Sequence, residues 1–263
     1  EKRNTLKSWT ILLSIFAFSL SLIGTFIVRS GVITSVHAFA SDPTRGVFIL
    51  GMLVVAIGGG LALYAWRAPK MRAEGVFAPV SREGGLILNN LLLTVACAVV
   101  FLGTLAPLFR EMIDGSKISV GAPFFDLSFT PFTILLAIAL PFGAVMPWKR
   151  GHLGKAWRKI MIAAAIAFLV GALLWGLAED RSPFAPIGIA LAAWVVFGAL
   201  ADLAERSKLG RASIGETIRR LINLPRADWG KSIAHMGFGF TIFGISAVSA
   251  WETEDIRLAK VGD

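Results

Sequence analysis

Few side chains in this 263-residue sequence can bind a metal. There are three histidines, His37, His152 and His235, and a single cysteine, Cys97. A neutral imidazole is the commonest metal ligand a protein offers. One cysteine excludes an internal disulfide and any cysteine-based metal cluster. The sequence holds no HExxH pair, no phosphate-cradling glycine loop and no nucleophile elbow. The chemistry left open is ligation by isolated imidazoles, and their surroundings decide what each can do.

His37 lies in FIVRSGVITSVHAFASDPTRGVFIL, residues 26–50, a polar connection between two apolar runs. Its neighbours are small or apolar, and Arg29, Arg45 and Asp42 share the stretch. An exposed imidazole there could ligate an iron while Arg29 and Arg45 pair with propionates. It could equally be a solvated loop histidine, with Arg29 snorkelling from a helix end. His235 sits about one turn inside the last apolar run. Polar groups at such depth usually face the protein interior. Gly239 is four residues on and shares its helical face, which leaves room for a flat ligand or a close neighbouring helix. The alternative is a histidine hydrogen-bonded between helices. A haem with two histidine ligands would need a second intramembrane histidine, and this sequence has none. His152, within WKRGHLGKAWRK, reads as a solvated loop residue. Cys97 falls inside an apolar run and is expected to be buried. Asn89 and Asn90 suit helix–helix hydrogen bonding, and Gly58, Gly59 and Gly60 suit close helix packing.

The elements carrying these residues follow from composition. Apolar residues make up 56% of the chain and charged residues 16%, against roughly 45–50% and 25% in soluble domains. Apolar runs cover Trp9–Val28, Gly46–Trp66, Gly85–Phe109, Pro131–Trp148, Ile160–Ala178, Phe184–Ala204 and Ser232–Trp251. Each suits a bilayer core of about 30 Å. Backbone groups must be paired in lipid, so the runs are expected to be helices, and nothing alternates as barrel strands would. The expected fold is all-α, a polytopic transmembrane bundle of about seven spans. Nineteen of the 26 lysines and arginines fall in one set of alternating loops, which makes that set cytoplasmic. The net charge of +9 is thus a topology signal rather than a nucleic-acid one. It places His37 on the outer side and His152 on the inner.

Within the inner segment Glu205–Lys231, Ile214, Ile218, Leu221 and Ile222 recur on one helical face. Ser213 and Glu216 have capping-box spacing. The expectation is a short amphipathic helix on the inner leaflet. The outer segment 110–130, with VGAPFFDLSFTPF, is expected to re-enter the interface or to line a groove. Residues 1–251 then form a transmembrane region with an outer loop over 29–46, and 252–263 start an outer segment. The opening EKRNTLK reads as a loop between helices, so the chain is expected to be part of a longer one. Two other classes stay open. A solute transporter or channel would show paired charges or broken helices at mid-membrane. A structural subunit would tolerate loss of His37 and His235.

The stretch SLSLIGTFIVRSGVITSVHAFASDPTRGVFIL, residues 19–50, resembles the CcmF family of cytochrome c maturation haem lyases, within the haem-handling protein superfamily. SREGGLILNNLLLTVACAVVFLGTLAPLF (81–109), VGAPFFDLSFTPF (120–132) and LPRADWGKSIAHMGFGFTIFGI (224–245) resemble it in the same order. The resemblance covers essentially the whole chain and implies a C-terminal portion. It implies that His37 is one of two outer histidines ligating the haem being delivered, and the residue at the catalytic centre. It implies that His235 is one of two membrane histidines ligating a resident haem b. The partner of each belongs to a part preceding Glu1, as does the tryptophan-rich haem-binding motif. The implied activity is haem delivery to the CxxCH motif of apocytochrome c, in a complex, at the outer face of a bacterial inner membrane. Implied partners are the haem chaperone CcmE, thiol- and apocytochrome-handling subunits of the CcmH/CcmI type, and quinol as a reductant. A paralogue that matures nitrite reductase haems is not separated by these motifs.

Overall fold

The computed structural model describes residues 6–30, 43–71, 77–116, 118–177 and 184–251. Among these the chain is helical, with no strand. The helices are α1 (Lys7–Ser30), α2 (Pro43–Arg67), α3 (Arg82–Asp114), α4 (Ala122–Val145), α5 (Leu153–Leu177), α6 (Phe184–Ser207), α7 (Ile214–Ile222) and α8 (Arg226–Trp251), and a 3-10 turn, Ala68–Lys70, follows α2. All of the α-helices except α7 are long and apolar enough to cross a bilayer. They present large apolar side chains outward, with Val55 and Phe168 each 74% exposed. That suits a surface solvated by lipid. The chain is a multi-pass, all-helical membrane protein.

Two compact units divide the described structure. In the first, α1 and α2 pair antiparallel. Gly60 lies beside Ile15, and a Cβ on Gly46 would come 3.1 Å from Ser30. In the second, α6 is the central helix, and α8, α5 and α4 pack on it in decreasing extent. Its buried side is built from small and branched residues, among them Ala192, Val195 and Ala199. Helices in lipid gain little from apolar transfer alone, so they associate through small residues that allow close contact. Gly198 receives the ring of Pro141 from α4, and Gly188 receives Ser246 from α8. The Trp194 indole on α6 donates to the Ile138 carbonyl on α4 at 3.2 Å.

The helix starts that lie furthest ahead of the hydropathy runs are those of α4, at Ala122 rather than Pro131, α5, at Leu153 rather than Ile160, and α8, at Arg226 rather than Ser232. In α5 and α8 lysines and arginines occupy the first two turns, and hydropathy does not count them. The expected outer segment 110–130 is therefore helix from Ala122 onward. Gly121 precedes it in extended backbone, and Pro123 sits in the first turn, where a missing N–H costs nothing. Phe124 and Phe125 meet edge to face, with ring centroids 5.3 Å apart, and close over Gly103 of α3. Cys97 is exposed, contrary to expectation, because no described helix covers that side of α3.

The amphipathic helix forms as its spacing requires. The Ser213 hydroxyl accepts the Glu216 amide at 3.4 Å. Thr217 is buried, while Ile214, Ile218 and Ile222 stay exposed. The Arg220 guanidinium, 2.5 Å away, holds the Glu216 carboxyl below its usual range. That support is complete above the unfolded value of 4.5 and is lost as pH falls through the lowered folded value.

The α6–α8 contact gives a direct test. A Cβ on Gly239 would lie 2.6 Å from Val196 Cγ2 and 3.2 Å from the Ala192 carbonyl oxygen. Gly239→Val is expected to lower stability by about 1–3 kcal/mol, read as an earlier thermal unfolding transition in detergent.

Candidate functional site

The second unit contains a cavity of about 420 Å³ between α3, α4 and α8. His235 lines it from the third turn of α8. Its Nδ1 is buried and has no hydrogen-bond partner among the described residues. Buried ring nitrogens normally have one. The Ser232 hydroxyl, three residues earlier, is buried and unpartnered in the same way.

Most of the wall is apolar, including Leu86, Leu92, Leu136 and Leu140. The polar groups on it are Arg82, Asn89, Asp228 and Lys231, with the Trp148 indole. Arg82 donates to the Ala144 carbonyl and lies 5.1 Å from the centre of the Trp148 ring. Asn89 donates to the Asn90 side chain at 3.3 Å. Lys231 Nζ contacts Asp202 Oδ2 at 2.5 Å. Arg206 Nε contacts the same Asp202 carboxylate at 3.0 Å, and its Nη1 contacts Asp228 at 3.0 Å. Asp202 is only 3% exposed, and these two cations compensate its charge.

A clasp fixes the start of α3. The Ala78 amide donates to the Lys149 carbonyl at 2.7 Å, Arg82 to Pro147 at 2.9 Å, and Gly151 to Val80 at 2.7 Å. Lys149 takes a left-handed φ of 64°, which an L-residue adopts reluctantly. The buried Glu83 carboxylate accepts its amide at 2.8 Å and holds that conformation. The Ser81 hydroxyl accepts the Gly84 amide at 3.0 Å and so caps α3.

The remaining candidate residues lie elsewhere. Gly239 faces Val196 of α6, so it serves helix packing and does not widen the cavity. Arg29 is half-buried in the last turn of α1. Arg45 belongs to the first turn of α2, and its side chain lies outside the described residues. His37 and Asp42 also lie outside them. The His152 carbonyl accepts the amides of Lys155 and Ala156, both at 3.1 Å, and so starts α5. No group of three or more potential metal-ligating side chains occurs among the described residues. In the sequence Arg82 and Lys231 are two of the 19 lysines and arginines in one set of loops. The signals were present: Lys231 stands one turn from His235, and Asp202 is an acid within an apolar run.

The site offers one imidazole on the wall of a largely apolar slot. That is a fit for one axial ligand of a haem and not for a multi-residue metal centre.

Comparison with known proteins bears on what occupies such a slot. The chain is 52% identical over all its 263 residues to the cytochrome c-type biogenesis protein CycK of Bradyrhizobium diazoefficiens, covering 40% of that protein. It is 42% identical to CcmF of Escherichia coli, matching the whole of this chain and 39% of the relative. The chain belongs to the CcmF/CycK family, matching its C-terminal part. It spans about two-fifths of the length of these relatives. NrfE of Haemophilus influenzae is 36% identical over 209 residues, 75% of this chain and 32% of that protein. No protein-family model and no solved structure matches. The clasp and the Asp202 network therefore describe how a CcmF/CycK-type sequence builds the Lys/Arg-rich end of its spans.

Asp202→Ala would leave Lys231 and Arg206 facing each other without their shared carboxylate. We expect a loss of about 3 kcal/mol, with Asp202→Asn less affected, measured by unfolding in detergent.

Proposed function

We propose that this chain is part of a haem lyase subunit in cytochrome c biogenesis, delivering haem to the CxxCH motif of apocytochrome c at the outer membrane face. The observation that carries the reading is the placement of His235 on the wall of a largely apolar cavity, in a chain of CcmF/CycK type. An imidazole held in that way is suited to one axial bond of a resident haem b. When bound, that group supplies reversible one-electron exchange, which would keep delivered iron reduced, with quinol as the electron source. The chain's own part is to orient His235 from a rigid helix, to exclude water with the leucine-lined wall, and to keep cations at one end. The second axial ligand of each haem lies outside this chain in this reading.

His37 would ligate the delivered haem, with Arg29 and Arg45 meeting its propionates. CcmE would supply that haem, and CcmH/CcmI-type subunits would present the reduced apocytochrome. Identity to CycK and CcmF exceeds that to NrfE, which favours the CcmF/CycK reading. The described spans are unbroken helices, and the cavity's charges sit at one end. Both features weigh against a transporter.

The test uses the complete protein purified with its partners and reduced with dithionite. His235→Ala is expected to lose the low-spin b-type absorption bands, and unchanged bands would return His235 to a packing role. His37→Ala is expected to keep those bands while cytochrome c maturation in cells falls at least tenfold. Retained maturation would remove His37 from the delivery step.

A further inference from the structure

The cavity beside His235 is chemically unequal along its length. Leucines and alanines of α3 and α4 line most of it, while Arg82 and Lys231 are its two cations. Both stand at the end that carries the Lys/Arg-rich loops. Lys231 precedes His235 by four residues, so it lies on the same helical face and about 6 Å nearer that end. Arg82 opens α3 at the same end, where Trp148 and the Ala144 carbonyl set its direction. Asp228 is the one carboxylate on the cavity wall, and Arg206 engages it at 3.0 Å. Asp202 grips Lys231 from the α6 side. An apolar slot with an imidazole on its wall and cations at one end matches a flat apolar ligand with an acidic edge. A guanidinium carries five donors in a fork that fits a carboxylate, and an ammonium carries three. In surroundings of low polarity such charge-assisted bonds are strong.

We infer that Arg82 and Lys231 bind the two carboxylates of the haem that His235 ligates. Its propionates then point to the Lys/Arg-rich end of the span, and its apolar edge points to the membrane interior. The inference rests on the haem reading above.

The test separates the two. The complete protein is prepared from haem-deficient cells and titrated with haem and with haem dimethyl ester, which lacks the acidic edge. Arg82→Gln and Lys231→Met are each expected to bind haem about tenfold more weakly and to bind the ester as the unaltered protein does. Lys231→Arg is expected to restore haem binding. Ester binding is therefore a control for folding within each variant. Equal loss of both ligands, or no loss of either, would overturn the assignment of the carboxylates. If the bands are independent of His235, the haem reading itself fails. If they depend on His235 but the variants do not discriminate haem from its ester, only this inference fails.

Discussion

A carboxylate buried among cations governs the Lys/Arg-rich end of the second unit. Asp202 is almost completely buried, and its charge is tolerable only because Lys231 and Arg206 reach it. Removing an ion from water is expensive, and only close, well-directed partners offset that. The demand fixes the register of α8 against α6, since Lys231 must meet Asp202 while Arg206 also meets Asp228. Register in turn brings Gly239 against Val196 and turns His235 toward α3. A membrane interior has no bulk water to solvate a misplaced charge, so one acid can set a helix alignment that many apolar contacts leave degenerate.

The architecture was legible because lipid restricts the backbone to few options. Seven long apolar runs with loops of alternating charge can hardly be anything but a polytopic helical bundle. The short helix over Ile214–Ile222 was legible too, since Ser213 and the isoleucine spacing each specify it locally. Helix starts were not, because first turns such as 226–231 are polar while still helical. The segment 120–132 misled for another reason: its aromatic residues resemble an interfacial loop, but Gly103 provides a hollow that only the folded structure reveals.

His235 stands out in the sequence because an imidazole within a span demands a reason. Its surroundings were not recognisable. Arg82 and Lys231 are separated from it by very different distances along the chain, and the clasp between α3 and the loop after α4 is what brings Arg82 near. Gly239 shows the opposite case. Spacing alone allowed either a ligand or a helix beside it, and close contact with α6 decides for the helix.

Glu83 is an acid used to hold a backbone rather than a charge. It grips the amide of Lys149, and the reciprocal bonds around it set where α3 begins relative to α4. Arg82 is the residue next to it. The short connection 146–151 therefore works as a gauge for the width of the slot, although only Trp148 of it reaches the cavity. Variation in the length of that connection would change the width of the slot while every residue lining it stays the same.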